Sequence, residues 1–486
     1  MPWSHLKHLK HVKWFDNAND AVDYIHELYN KTVTQICENF SLYEKNGSVR
    51  DDHAEYSCYP FIGVSIGHDD LFVDPSFAYG VINEPGNYGT TVTAPELYDA
   101  YFREQISLII ERHGVSVVVG YSDCKIPLPF VIEHSHAQFD VDELMRLQSK
   151  FVLPDLKRID DSFANATFVP NGYRPLALFT GERVDFSLQR LHHYTGTPPN
   201  HFQNFILLTN YQRYIDEFIS QTSSAIEHHK EEEWELIGPG GTVLASHKQH
   251  TAELPKLLPQ MPAYHFKKPG KNGISIINIG VGPSNAKTIT DHVAVLRPHC
   301  WIMLGHCAGL RASQTLGDYV LADGYVREDH VLDDDLPKWV PVPPIAEIQQ
   351  ALQQAVLHIF GKREGELKSA IRTGTVHTTD NRNWELQSIA LYERFRQSRA
   401  IAVDMESATI AANGFRFRVP YGTLLCISDK PIHGVIKLQA MANEFYKSRV
   451  NHHLHVGIKA MEILQKMDPQ RLHSRKLRGF DECPFR

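Results

Sequence analysis

The chain has 486 residues, with 49 Lys and Arg against 57 Asp and Glu and a formal net charge of −8. That length exceeds one ordinary compact domain, and the acidic balance disfavours non-specific nucleic-acid binding. Seven scattered cysteines without a C-x-x-C pair predict a reducing compartment rather than a disulfide framework. The first residues, MPWSHLKHLKHVKWF, lack the apolar core of a leader, and no run reaches membrane-spanning length, so the expectation is a cytoplasmic protein with no membrane partner.

In chain order, residues 16–45 carry Val22, Ile25, Leu28, Tyr29, Val33, Ile36 and Phe40 on one helical face, which predicts a helix. Tyr59–Ile66 and Ala78–Asn83 read as strands, with turn chemistry at Gly67-His68-Asp69. Pro95 opens a helix that His113-Gly114 ends, and Val115–Gly120 reads as a buried strand. The polar stretch Asp160–Arg174 predicts a boundary, giving an N-terminal α/β domain over 1–175 and a second domain over 176–486.

Residues 228–273, punctuated by Gly-Pro-Gly-Gly and further prolines, read as a hairpin and loops inserted before the main sheet. From Gly273 strand and helix alternate: Ser275–Ile279, a helix over 284–296, Trp301–Leu304, Tyr319–Ala322 and a helix over 345–360. Such alternation predicts an α/β fold with a largely parallel or mixed sheet flanked by helices.

The 28 histidines invite a metal reading, with His5, His8 and His11 in steps of three and pairs at His192-His193, His228-His229 and His452-His453. No H-E-x-x-H and no His/Cys cluster of zinc spacing is present. These histidines read as solvated helix faces, and no metal site is expected. Asp333-Asp334-Asp335, closely followed by Pro337, Pro341, Pro343 and Pro344, reads as an exposed loop.

The site candidates lie near the C-terminus. The apolar run Leu424-Leu425-Cys426-Ile427 ends at Ser428-Asp429-Lys430-Pro431. A buried strand emptying into a polar turn places Asp429 where ligands bind in open α/β sheets. Met405-Glu406 precede the small-residue run Ser407–Ala412 and Asn413-Gly414, which predicts a helix packed closely on the sheet with a carboxylate at its start. Gly280, Gly282 and Asn285 form a glycine turn leading into a helix, suited to an anion but equally to a plain tight turn. Gly305-His306-Cys307-Ala308-Gly309-Leu310-Arg311 follows another strand, and Arg311 offers a fork for phosphate or carboxylate. In the polar loop Thr378–Glu385, Trp384 either stacks on a ligand or closes the core.

These pieces occur in an order that resembles the purine nucleoside phosphorylase superfamily: the glycine turn, GHCAGLR, LGDYVLAD (316–323), VDMESA (403–408) and ISD (427–429). HFQNFILLTNYQRYIDEF (201–218), TDNRNWE, SDKP and YGVINEPGNYGTTVTAPELYDAYF (79–102) are similar to the bacterial AMP nucleosidases. The resemblance implies hydrolysis of AMP to adenine and ribose 5-phosphate. Asp429 matches the acid that protonates the purine, so it would have to hold a proton near neutral pH. Glu406 matches the carboxylate that holds the ribose and assists water, and Met405 the residue packed under the sugar.

For the phosphate, the loops matching the family's site offer Arg311, Arg382 and Lys430, beside Asp380 and Ser428. His201, Asn204 and Arg213 lie in a segment that precedes the sheet as does the one a neighbouring subunit lends in this superfamily, and a folding role at the domain interface fits them equally. The resemblance further implies a homo-oligomer, with a hexamer suggested, no cofactor for the chemistry, and MgATP as an allosteric activator; the N-terminal domain reads equally as the regulatory part or as a purely oligomer-building one. Two other readings compete. A phosphorylase would use phosphate in place of water, but the turn Gly282-Pro283-Ser284-Asn285 lacks the arginine that phosphorylases place there. A nucleotide sensor without catalysis needs neither Asp429 nor Glu406.

Overall fold

The computed structural model describes residues 9–47, 49, 57–71, 73–74, 76–132, 141–148, 150–170, 172–361, 368, 371–436, 439–473 and 477–486. Two compact units result. One extends to Gln189 and takes in Arg478–Arg486; the other is Arg190–Leu477. The junction expected at residue 175 lies within the first unit.

The first unit contains β1 (Lys10–Phe15), α1 (Ala18–Asn46), β2 (Cys58–Ile66), β3 (Gly86–Thr91), α2 (Pro95–His113), β4 (Val117–Lys125), α3 (Val141–Gln148) and β5 (Arg174–Pro175), and α4 (Gly181–Thr195) follows. The strands form one sheet in the order β1-β4-β2-β3-β5. Asn17 caps α1 by accepting from the Asn19 N–H at 2.7 Å, and Gly47 ends it at φ 71°, the usual polar start and glycine stop. Ala78–Asn83 is not a strand. Gly80 sits at φ 71° with Leu108 and Arg112 against it, and a left-handed residue there breaks an extended run. The edge strand β1 was not expected, because its exposed side chains carry no burial pattern. His11 lies on this strand rather than on a helix face; His5 and His8 lie outside the described residues. The last residues join the same unit, with Phe485 N–H donating to the Leu176 carbonyl at 3.0 Å and Arg486 N–H to Gln105 Oε1 at 2.8 Å.

The second unit is built on one ten-stranded mixed sheet. Its elements are β6 (Phe205–Thr209), α5 (Gln212–His228), β7 (Glu235–Gly238), β8 (Thr242–Ser246), β9 (Ala263–Lys267), β10 (Ile274–Asn278), α6 (Pro283–Val293), β11 (Cys300–Gly309) and β12 (Tyr319–Glu328), followed by α7 (Ala346–Phe360), β13 (Ile371–Thr379), α8 (Ser388–Ser398), β14 (Ala402–Asp404), α9 (Ser407–Phe417), β15 (Tyr421–Asp429), α10 (Gln439–Leu464) and α11 (Pro469–Leu472). The strand order is β14-β13-β12-β15-β11-β6-β10-β9-β7-β8, and β14 also pairs with β11. That last pairing closes five strands into a ring. β10, β6, β11 and β15 run parallel, and their near-continuous apolar sequences fit strands covered on both faces. The segment 228–273 is not an insertion outside the sheet: β7, β8 and β9 extend it antiparallel beyond β10.

Two further expectations are corrected. His453 is fully buried, bonded to the Tyr214 hydroxyl at 2.6 Å and the Leu424 carbonyl at 3.0 Å, so it ties α10 to the sheet instead of facing solvent. Of the acidic run, Asp335 is half-buried and ion-paired to Lys287 at 3.3 Å and Arg416 at 3.5 Å. A charge that finds two cations on neighbouring helices is pulled in from the solvent.

Candidate active site

The C-terminal ends of β6, β10, β11 and β15 lie side by side, so the polar residues that end these strands share one edge of the sheet. β6 hands on to Asn210. β10 turns through Gly280 at φ 69° and Gly282 at φ 114° into α6, a path that side-chain-bearing residues rarely follow. β15 ends at Asp429. β14 ends at Asp404 and leads directly to Glu406, the N-cap residue of α9.

The helix start needs an acceptor for its free N–H groups, and Asp404 supplies it. Its Oδ2 accepts from the Ser407 N–H at 2.8 Å and from the Ser407 hydroxyl, while Oδ1 accepts from Thr378 Oγ1 at 2.6 Å. Glu406 is thereby left out of the capping and turns to other elements. Its Oε1 accepts from the Gly282 N–H at 2.7 Å and its Oε2 from Asn210 Nδ2 at 3.1 Å, with the residue only 2% exposed. Burial first, and then the charge of Asp404, push the Glu406 carboxyl up to about 8. Burial pushes Asp404 up as well. Two carboxyls enclosed together do not both ionise readily, so the pair retains a proton at neutral pH.

Two long-range ties fix the helices that carry this contact. On α9, Asn413 donates to Thr290 Oγ1 and Asp291 Oδ1 of α6, each at 2.8 Å. Arg416, fully buried, donates to Asn413 Oδ1 at 2.6 Å and lies 3.6 Å from Asp291. Asp429 sits on the other side of β11. Ala308 pairs with Asp429 on β15 and with Val403 on β14, so Asp429 and the Val403–Glu406 turn flank the same stretch of strand. Ser428 Oγ donates to Asp429 Oδ1 at 2.7 Å. After burial and Cys426, the charges of Asp404 and Asp429 both push the buried Cys307 thiol up.

The remaining sequence candidates divide. Gly282, Met405 and Ser428 belong to this edge with Asp429 and Glu406. Asn285 packs over Gly280, where a Cβ would meet its Nδ2 at 2.9 Å, and so shapes the turn. Gly309 leaves room for Gln314 and Ile427, each 3.1 Å from where its Cβ would stand. Trp384 is buried with Phe395, Val403 and Ala308, closing a small core behind the strands. Asp380 and Arg382 are exposed on the loop before it.

Two of the expected cations are engaged with backbone. Arg311 donates to the Arg399 carbonyl at 2.7 Å, and Lys430 Nζ to the carbonyls of Ala312 at 2.9 Å and Gln314 at 2.6 Å. His201 and Asn204 precede β6 and lie at its opposite end: Asn204 N–H donates to Lys271 O and accepts at its carbonyl from His299 N–H. One strand of five residues, about 16 Å at ~3.3 Å per residue, separates them from Asn210 in the same chain. Arg213 lies in the first turn of α5.

Residues 20–175 match the family described as the bacterial AMP nucleoside phosphorylase N-terminus, and residues 238–450 match the phosphorylase superfamily. AMP nucleosidase of Escherichia coli K12 is 45% identical over 473 residues, covering 96% of this chain and 98% of that protein, and the O157:H7 enzyme matches to the same extent. The chain belongs to the bacterial AMP nucleosidase family. It is therefore an enzyme of the nucleoside phosphorylase and nucleosidase superfamily. A solved AMP nucleosidase from Bacteroides thetaiotaomicron shares 30% identity, covering 58% of this chain and 98% of its own, at a TM-score of 0.42. Among the described residues, no helix is long and apolar enough to cross a membrane, and no group of His, Cys, Asp and Glu has the arrangement of a metal site.

Sequence reasoning missed Asn210 and Asp404. Asn210 was within reach: it is the first polar side chain after Phe205-Ile206-Leu207-Leu208-Thr209, the same strand-end signal that picks out Asp429. Asp404 stands in the V-D-M-E motif, but nothing in sequence separates a capping carboxylate from one facing a ligand.

Proposed function

We propose that the chain hydrolyses the N-glycosidic bond of AMP to adenine and ribose 5-phosphate. The observation that carries this reading is the placement of Glu406, buried and held by the Gly282 N–H and the Asn210 amide, across β11 from Asp429. Adenine leaves poorly as an anion, so Asp429 delivers a proton to N7 as the C1′–N9 bond breaks. Glu406 holds the ribose hydroxyls and, as carboxylate, stabilises the positive charge that develops on the sugar. Water adds to C1′ and gives its proton to Glu406; exchange with solvent then takes that proton from Glu406 and returns one to Asp429, so both carboxyls end as they began. Two carboxyl groups with different protonation duties at one bond follow the logic of inverting glycosidases.

Water rather than phosphate as nucleophile is supported by the turn Gly282-Pro283-Ser284-Asn285, which offers no arginine and commits its Gly282 N–H to Glu406. The 5′-phosphate falls to Arg382, since Arg311 and Lys430 already serve backbone carbonyls. His201 and Asn204 serve a neighbouring copy in a homo-oligomer, a hexamer on the family resemblance. The enzyme acts in the cytoplasm, without cofactor, nucleic acid or membrane, and MgATP raises its activity through the N-terminal unit.

The test is to incubate the purified protein with AMP and MgATP in phosphate-free buffer and separate the products. Adenine with ribose 5-phosphate supports the hydrolase. Reaction only after phosphate is added favours a phosphorylase, and no reaction under either condition favours a nucleotide sensor.

A further inference from the structure

Glu406 needs a fixed direction if it is to face a sugar rather than its own helix. Three elements that are distant in sequence converge on it. α9 supplies the residue, the β10–α6 turn supplies the Gly282 N–H, and the end of β6 supplies Asn210. The Asn210 amide is bound on one side only. Its Nδ2 donates to Glu406 Oε2 at 3.1 Å, while its Oδ1 is buried and no donor among the described residues reaches it. On that side lies Gly305 of β11, where a Cβ would stand 3.7 Å from the oxygen.

A buried carbonyl without a donor opposes folding, and natural proteins keep few of them. An aliphatic side chain would fill the place without that penalty. The amide is therefore poorly explained by stability and well explained by its one good bond. In its ionised form, the one hydrolysis uses, Glu406 can only accept, so the NH2 faces it and the oxygen is left over.

We infer that Asn210 is the positioning residue for Glu406, holding the carboxylate opposite the Gly282 N–H in the orientation that hydrolysis uses. This rests on the hydrolytic reading above. Asn210 touches neither leaving group nor nucleophile in this role; it acts through Glu406. Its donor also favours the ionised form of Glu406, which opposes the effects of burial and Asp404.

The experiment compares the full-length wild type with Asn210→Ala and with Asn210→Asp, which keeps the shape and loses the donor. Each is followed by adenine release from AMP across pH, together with thermal melting. Misplacing a reacting group by about 1 Å costs on the order of 10²-fold in rate. Both variants are expected to lose kcat by about that factor, with KM for AMP changed less than about threefold. The pH at which activity rises is expected to move upward in both. Asn210→Ala is expected to bind AMP nearly as the wild type does while kcat falls, a split that a merely structural asparagine would not produce. A wild type that releases adenine while either variant keeps its kcat and pH profile overturns the role of Asn210 alone. A clear drop in melting temperature of Asn210→Ala with a proportionate loss of both binding and turnover also overturns it. A wild type that releases no adenine sinks the hydrolytic reading, and this inference with it.

Discussion

The backbone N–H of Gly282 donates to Glu406 Oε1 at 2.7 Å across 124 positions of sequence. The bond joins the starts of two helices, α6 and α9, whose N-terminal ends both favour negative charge. Removing the carboxylate should therefore have two opposite effects. Glu406→Gln is expected to lose adenine release by at least about 10²-fold, the scale of a lost acid–base group. The same variant is expected to melt higher than the wild type in alkaline buffer. The Glu406 carboxyl is raised to about 8 in the folded protein, so folding binds a proton that the unfolded chain releases in the ordinary carboxyl range. The associated stability is present at acid pH and lost as pH rises toward and through about 8. The melting advantage of Glu406→Gln should appear over that window and vanish near pH 4; calorimetry at four or five pH values would check it.

Activity should depend on the same proton in the opposite sense. If Glu406 works as carboxylate, kcat/KM in the free enzyme rises with pH through about 8, where the buried carboxyl ionises. A pH–rate profile for AMP over pH 6 to 9 reads this directly. A flat profile across that range would remove Glu406 as the ionising group.

Asp429→Asn keeps the shape and the neighbouring Ser428 hydroxyl but has no proton to deliver to N7. Adenine release is expected to fall by about 10²- to 10⁴-fold, with AMP still bound. Calorimetric titration with AMP beside a single-turnover assay separates the two quantities. Unchanged turnover would exclude Asp429 as the acid.

The phosphate assignment separates two cations. Arg382→Ala is expected to raise KM for AMP about tenfold or more, the worth of one charge-assisted contact, and to leave turnover of adenosine, which has no phosphate, at the wild-type level. Lys430→Ala releases the carbonyls of Ala312 and Gln314 and should impair AMP and adenosine alike. Steady-state kinetics on both substrates would tell them apart.

Arg416 is fully buried between Asp291, Asp335 and Asn413. Arg416→Met leaves Lys287 as the remaining cation for Asp291 and Asp335 and takes the donor from Asn413 Oδ1, which costs about 1–3 kcal/mol. Urea denaturation should show the loss directly in its midpoint.

Much of the second unit was legible because its strands are uninterrupted apolar runs ended by polar turns. Ile274–Asn278, Cys300–Gly309 and Tyr421–Asp429 each announce themselves this way, and the helix after Glu406 does so by its small residues. Legibility failed where the cause lies in another part of the chain. Gly80 breaks an extended run because α2 packs against it, and β9 joins the sheet because β10 offers it an edge. Lys430 and Arg311 read as ligand cations because sequence does not show the carbonyls of Ala312, Gln314 and Arg399 within their reach. Asn210 was passed over although its signal was the same as that of Asp429.

The return of Arg478–Arg486 to the first unit sets an order of events during synthesis. Gly80, Leu176 and Gln105 take up their partners Pro484, Phe485 and Arg486 only after the ribosome has made everything between. The strands and helices of residues 10–189 are thus made before residues 190–477 and receive these partners only after them. Cutting residues 1–175 away to test for ATP regulation would strand this tail, so that experiment should remove residues 478–486 as well.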